Sequence, residues 1–330
     1  MACEFDSILQ KCEEAKNLTI FDSFVKTYPK IDVKQRIVCS ISGGSDSDIM
    51  LDMLTKLDTE KKIKYIFFDT GIEYGATKEH LVYLENKYGV EIERLKAITP
   101  VPLGCRKYGI PFWSKFVSEM LERLQKHGFK WEDKPFDELI KKHPKCKGAL
   151  KWWCNLNGDK SKFNINYVRG LKEYMIANPP AFHISPKCCK GAKKDNAKKY
   201  LTKYEADLNI VGIRKAEGGI RSSAYKSCFT PAKDNELWDN YYPIFWYSDK
   251  DKEEYQKTFN VKHSACYSEY GMKRTGCAGC PFGKEFEKEL EIAKEFEPKL
   301  YKAINNIFGA SYEYTRGFLK FREELKCNLQ

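Results

Sequence analysis

No run of about 18 apolar residues occurs in the 330-residue chain, which argues against a membrane-spanning helix. No secretory segment is expected at its start, because Glu4, Asp6, Lys11, Glu13 and Glu14 interrupt residues 1–20. There is no internal repeat, no long linker, no Gly-x-x-x-x-Gly-Lys loop and no dinucleotide-type glycine spacing. What is present is the composition of a folded globular chain, 42% hydrophobic and 14% aromatic, long enough for a sizeable core in one or two domains. The net charge of +11, from 57 basic and 46 acidic residues, favours anionic partners such as nucleotides or nucleic acid. A cytoplasmic location is expected. In that reducing setting thirteen cysteines point to metal or redox chemistry ahead of structural disulfides.

The informative stretch is residues 36–50. Arg36 to Ile41 is apolar and β-branched, as a buried strand is, and Asp48 to Lys56 places Ile49, Met50, Leu51, Met53 and Leu54 at helical spacing. Between them lies Ser42-Gly43-Gly44-Ser45-Asp46-Ser47. Two glycines let the backbone take positive φ and come close to a ligand. The free N–H groups of the following helix then face the loop, an arrangement suited to phosphate. The plainer reading is a strand-to-helix turn with an N-cap.

Further along, Ile63–Phe68 and Glu91–Ile98 read as strands and 76–88 as a helix, with 5–27 as an amphipathic helix leading in. Strands alternating with helices predict βαβ units and a parallel sheet: an α/β, Rossmann-like fold with helices on both faces. Ligands in such sheets bind beyond the carboxyl ends of the strands, where Ser42–Ser47 and Asp69-Thr70-Gly71-Ile72-Glu73 both fall. Residues 105–180 read as a helical insertion, with helices at 112–124 and 137–142, and 285–321 as a charged helical region. The expected domains are a lead-in at 1–35, a nucleotide-binding domain at 36–250 and a C-terminal region at 251–330. Trp131, Trp152 and Trp153 read first as packing residues, with base stacking as the other option. Cys105, Cys146 and Cys154 read as ordinary cysteines. Ala206–Ile213 is a further strand, followed by Arg214, Lys215 and Arg221 among glycines, which either wrap an oxyanion or form a solvated basic loop.

Cys188 and Cys189 are adjacent, and Cys277-Ala278-Gly279-Cys280 is a C-x-x-C. Four thiolates brought together repel unless a cation holds them, and thiolate-only ligation points to zinc or an iron–sulfur cluster; a metal-free redox pair is the alternative. Lys187, Lys190, Lys193, Lys194, Lys273 and Arg274 flank the two pairs and would offset the negative charge of a cluster.

The loop resembles the pyrophosphate loop, Ser-Gly-Gly-x-Asp-Ser, of the adenine-nucleotide alpha-hydrolase families, which include ATP pyrophosphatases, tRNA-thiolating enzymes and the phosphoadenylyl-sulfate (PAPS) reductase family. Ser45 stands where many members have lysine. The Asp-Thr-Gly at residues 69–71, the Arg214–Arg221 stretch and Tyr242-Pro243-Ile244 also resemble the PAPS reductase family, and the Cys-Cys then C-x-x-C order is similar to the 4Fe–4S site of adenylyl-sulfate reductases. The resemblance spans about residues 36–283. It implies ATP or another adenine nucleotide held by Ser40, Ser42, Gly43, Gly44, Ser45, Asp46, Ser47, Asp69, Thr70 and Gly71. It further implies Mg²⁺ on Asp46, an activated substrate or its anion held by Arg214, Lys215 and Arg221, and a 4Fe–4S cluster on Cys188, Cys189, Cys277 and Cys280. Chemistry at the α-phosphate coupled to sulfur, with a nucleic acid or protein sulfur acceptor and a homo-oligomer as an open option, is the implied function; sulfonucleotide reduction and nucleotide sensing are its rivals. The family's reductases end in a mobile Glu-Cys-Gly-x-His tail. Here Cys327 is followed by Asn328, Leu329 and Gln330.

Overall fold

A computed structural model describes residues 2–218, 224–232, 237–283 and 285–327. The chain forms two compact units. One is built from the chain up to Ile98 together with Lys193–Cys277, the other from Thr99–Ala192 together with the chain from Ala278 on.

The first unit holds a sheet of six strands among the described residues: β1 (Ile37–Ser40), β2 (Ile63–Asp69), β3 (Ile92–Lys96), β4 (Leu208–Val211), β5 (Phe229–Thr230) and β6 (Asp239–Tyr241). Their order is β3-β2-β1-β4-β6-β5, parallel throughout except where β5 runs against β6. Ile37 is level with Ile63 on one side and Leu208 on the other, so β1 is interior and paired along both edges. Alternation along β1 buries both faces. Ile37 and Cys39 join Phe24, Ile49 and Met53, while Val38 joins Ile66, Leu201 and Trp238. Each such aliphatic side chain contributes about 1.5–3 kcal/mol by leaving water. Helices therefore cover both faces, and the α/β, Rossmann-like expectation holds.

The boundaries differ from the sequence reading where caps intervene. The single helix expected over 5–27 is two, Ala2–Glu14 and Leu18–Val33. Lys16 takes positive φ, and Asn17 accepts hydrogen bonds from the N–H groups of Thr19 and Ile20, both 3.1 Å, which starts a new helix. The helix expected at 112–124 is Lys115–Lys126, because Ser114 caps it through the Val117 N–H (3.2 Å). The C-terminal helical region is split into Phe286–Phe296 and Pro298–Cys327, with proline at the first position, where its missing N–H is harmless.

The second unit is helical. Val101–Tyr108, Lys115–Lys126, Phe136–Lys142, Lys147–Trp153 and Leu171–Ala177 precede its two C-terminal helices. Its core gathers Phe112, Leu121, Leu124, Trp152, Trp153 and Phe318. Trp152 and Trp153 are fully buried, Trp131 is buried against Trp153, and the Trp153 indole donates to the Glu132 carbonyl (3.0 Å). These tryptophans are packing residues and present no face to a base. No helix among the described residues is long and apolar enough to cross a membrane.

Candidate nucleotide site at the end of the central strand

Strand order brings the site together. The chain leaves β1 toward β2 and β3 on one side and returns to β4 on the other, so the loops after β1 and β4 open beside each other at the carboxyl end of the sheet. The loop after β1 runs into the helix Ser45–Leu57. Gly43 sits at φ +68°, where a Cβ would lie 2.7 Å from the Thr77 methyl, so that position requires glycine. A Cβ at Gly44 would meet the Thr275 hydroxyl at 3.1 Å and the Ser42 and Tyr267 hydroxyls at 3.3 Å. That bare backbone lies in a ring of hydroxyl oxygens. The Gly44 N–H points at Ser42 Oγ (3.3 Å) and Ser47 Oγ (3.1 Å), Ser47 donates to the Gly44 carbonyl (2.8 Å), and the Ser45 N–H donates to the Tyr267 hydroxyl (3.0 Å). Hydroxyls occupy these donors in the manner a phosphate oxygen would. Ser40 ends β1, level with Ile66 and Val211.

Asp46 is paired with two cations. The Arg214 Nε reaches both its oxygens at 3.1 Å, and Lys252 Nζ lies 2.6 Å from Oδ1. Arg214 comes from the loop after β4 and is buried. It also reaches the Tyr247 carbonyl (3.3 Å) and Asp249 (3.0 Å). Burial works against its charge, but the Asp46 and Asp249 carboxylates outweigh burial and hold the guanidinium above its ordinary pKa. Lys252 stands on the helix Asp249–Phe259 and also donates to Ser45 Oγ at 2.8 Å. It thus delivers a cation to the loop position that lacks its own lysine. Nothing local in Asp249-Lys250-Asp251-Lys252 marks this residue, because the stretch reads as an ordinary charged helix start.

Behind the loop, Asp48 is fully buried. Its Oδ2 receives His263 Nδ1 (2.8 Å) and lies 3.1 Å from His80 Nε2, while Oδ1 has no hydrogen-bond partner among the described residues. One turn on, Asp52 accepts from the hydroxyls of Tyr88 (3.0 Å) and Tyr255 (2.8 Å). These two carboxylates form a buried polar stripe on an otherwise apolar helix, and periodicity alone gave no sign of it.

After β2, the Gly71 N–H donates to Asp69 Oδ1 (2.9 Å) and Glu73 Oε2 (3.1 Å), with Gly71 at φ +87°. The Thr70 N–H and hydroxyl both bond Glu73. Burial raises the Glu73 carboxyl above its usual range, Thr70 opposes this, and the neighbouring Asp69 adds to it. Glu73 organises this turn as much as Asp69 does. Of the predicted anion-holding residues, Arg214 is at the loop, Lys215 lies over the Trp246 ring (5.1 Å), and Arg221 falls outside the described residues.

The cysteines divide between the units: Cys277 ends the first, and Cys188, Cys189 and Cys280 lie in the second. Cys277 Sγ is 3.5 Å from the Thr70 hydroxyl. Cys188 is buried and its thiol is raised well above the ordinary range, first by a hydrogen bond with Cys105, opposed by one with Cys189, with burial and the charge of Cys280 adding. Cys105, an ordinary cysteine on the sequence reading, is thus a neighbour of Cys188; Gly104 beside it leaves only 3.2 Å between a Cβ and the Cys188 Cα. The donor chemistry suits a thiolate-bound metal. Among the described residues, though, no three His, Cys, Asp or Glu side chains are already gathered around a metal position. Cys327 is exposed at the end of a 30-residue helix.

Residues 36–151 match the family model of the phosphoadenosine phosphosulfate reductase domain. An uncharacterized protein of Methanocaldococcus jannaschii is 25% identical over 305 residues, 90% of this chain and 47% of its own length. The chain spans about half the length of the curated relatives it matches. Among solved structures, a PAPS reductase from Candida auris in complex with phosphate aligns at TM-score 0.43 and 13% identity, over 81% of this chain and 93% of that one. The U34-tRNA thiolase NcsA from Methanococcus maripaludis, with its 4Fe–4S cluster, aligns at TM-score 0.37 and 12% identity, over 89% and 78%.

Proposed function

We propose that this chain, whose residues 36–151 match the phosphoadenosine phosphosulfate reductase domain model, binds ATP or an adenylyl nucleotide in the Ser42 loop and activates an acceptor at the α-phosphate. The observation that carries this reading is the pair of cations at the loop, Arg214 and Lys252, held ready on Asp46. A polyphosphate entering the loop competes with Asp46 for both. As they move onto phosphate oxygens, the Asp46 carboxylate is released and would be the residue to hold Mg²⁺, which would offset the charge of the leaving group. An acceptor oxygen attacks the α-phosphorus, the bond from that phosphorus to the bridging oxygen breaks, and pyrophosphate leaves with the electron pair. The acceptor is left as an adenylate for sulfur to displace. Cys188, Cys189, Cys277 and Cys280 would hold the 4Fe–4S cluster, which would supply sulfur or electron-transfer chemistry in a reducing cytoplasm.

Two measurements test this. Asp46→Ala is expected to abolish Mg²⁺-dependent pyrophosphate release more than nucleotide binding, because backbone N–H groups and Ser hydroxyls do most of the binding; unchanged release in the variant would sink the assigned role. Anaerobically purified protein is expected to contain iron and acid-labile sulfide in equal amounts, with each Cys→Ser change at the four positions losing iron. Stoichiometric zinc without sulfide rejects the cluster. Sulfite release from adenylyl sulfate or its 3′-phosphorylated form, lost in Cys327→Ser, would restore the reductase alternative. Tight nucleotide binding with no turnover would leave the sensing alternative.

A further inference from the structure

The charge of the chain is concentrated in one place. Residues 99–192 hold 18 basic and 8 acidic residues, nearly the whole net charge of +11, and residues 141–172 hold nine basic residues against Asp159 alone. Within that stretch the connection from Trp153 to Leu171 has little regular structure beyond the short turn Ile165–Tyr167, yet it is tied internally. Asn164 Oδ1 accepts the Asn157 N–H (3.0 Å), its amide donates to the Gly158 carbonyl (2.8 Å), Asn157 donates to the Phe163 carbonyl (2.7 Å), and Asn155 Oδ1 accepts the Asn166 N–H (3.1 Å). Such a loop satisfies its own polar groups and holds its shape without a neighbour. It nevertheless turns its large apolar side chains outward: Tyr167 is 69% exposed, Leu156 51% and Phe163 49%. Lys160, Lys162 and Arg169 are exposed among them, with no ion-pair partner among the described residues, and Lys162 Nζ lies 5.5 Å from the Phe163 ring centroid.

Exposed rings interleaved with unpaired cations are the elements of a surface for unpaired nucleotides: bases stack on the rings while lysine and arginine follow the phosphates. Exposed rings alone would also fit a protein partner. Of the nine basic residues in 141–172 only Lys142 and Lys172 pair with a carboxylate, Glu132 and Asp133, among the described residues, so the remaining positive charge selects a polyanion, and the internally bonded loop presents its rings already ordered, which lowers the entropy lost on binding. We infer that the Asn155–Arg169 loop and the basic residues preceding it form a binding surface for a single-stranded segment of nucleic acid. This deepens the acceptor side of the function proposed above, but the binding itself requires neither ATP nor a cluster.

The test is fluorescence anisotropy without nucleotide, using labelled 20-nucleotide unstructured RNA, DNA of the same sequence and the corresponding DNA duplex. Binding of a single strand is expected with Kd on the order of 10⁻⁶ M at low salt. Tyr167→Ala and Phe163→Ala should each weaken it about tenfold. Lys160→Gln combined with Lys162→Gln should flatten the slope of log K against log salt by about 1.4, since each phosphate contact on a single strand contributes about 0.7. Tyr167 is the safer ring to remove, because Phe163 packs edge-on to Phe116 (5.4 Å); unchanged thermal unfolding of the Tyr167 variant separates lost binding from lost folding. RNA binding without DNA binding would place the ribose hydroxyl in the contact, and equal binding would place it outside. No single-strand binding by the wild type, equal binding by the ring and charge variants, a preference for duplex, or competition by polyglutamate as strong as by unlabelled strand would each overturn the assignment. Because no pyrophosphate is measured, its failure leaves the proposed chemistry at Ser42 standing, and the converse also holds.

Discussion

Lys252→Ala is expected to slow pyrophosphate release from ATP and Mg²⁺ by about 100-fold, and adding Ser45→Lys to that variant is expected to recover most of the loss. A preorganised cationic donor aimed at charge that develops on a leaving group is worth about 10²–10³ in turnover when removed. Lys252 fits that description, since its ammonium lies 2.6 Å from Asp46 Oδ1 and 2.8 Å from Ser45 Oγ. Its side chain is only 17% exposed, so water screens it poorly. A lysine at position 45, the first residue of the helix, starts at the point that Lys252 reaches and can carry its charge to the same loop by a different route. The rescue makes the experiment specific: a helix merely loosened by the loss of Lys252 would not be repaired by a new lysine on another helix. ATP affinity is expected to change by no more than about tenfold, because the loop amides remain. Full activity in Lys252→Ala, or a double variant no better than the single one, would remove Lys252 from the chemistry.

Asp48→Ala is expected to destabilise the protein by about 3 kcal/mol, more than any other single change at the loop. The residue is fully buried, and its Oδ2 serves two imidazoles, His80 and His263, which are themselves buried or nearly so. Alanine removes the hydrogen-bond partner of His263 Nδ1 and the carboxylate beside His80 Nε2 in a dry interior, and opens a cavity beneath the first turn of the Ser45 helix. Asp48→Asn keeps one acceptor of the same shape and should cost about half as much. Urea unfolding gives the measurement: the midpoint should fall while its slope m stays constant, as expected for a change in stability without a change in the surface exposed. A loss under about 1 kcal/mol for Asp48→Ala would mean that the two histidines find other partners and that the carboxylate does not anchor the loop.

The parts of the fold and site that were legible in the sequence are those set by neighbouring residues. Ile37–Ser40 alternates into two cores, Gly43 needs a backbone conformation only glycine adopts freely, and the Ser45 helix carries its apolar residues at helical spacing, so strand, turn and helix follow from a dozen positions. Asn17 was missed as a break because its capping amide acts on N–H groups that an amphipathic pattern does not show. Lys252, His80 and His263 were invisible for a different reason. Each reaches the Ser45 helix or the loop before it only once segments distant in sequence pack there, and nothing local distinguishes them from solvated residues. The aromatic residues gave the opposite lesson. Trp131, Trp152 and Trp153 are among the largest rings of the helical unit and are buried, whereas Phe163 and Tyr167, on which no motif rests, are exposed.

The order β3-β2-β1-β4 has a consequence for how this chain tolerates change. After β3 the polypeptide must cross back over two neighbouring strands, roughly 14 Å at about 4.8 Å per strand, before it can begin β4. A connection that must already be long gains little cost from being longer, since doubling a loop adds only about 0.6 kcal/mol. Thr99–Ala192 occupies that connection. The sheet and its phosphate loop depend on where this excursion starts and ends, and hardly on what it contains. Apart from Cys188 and Cys189 near its end, its contents are free to diverge, so one sheet can carry different excursions with no strand moved.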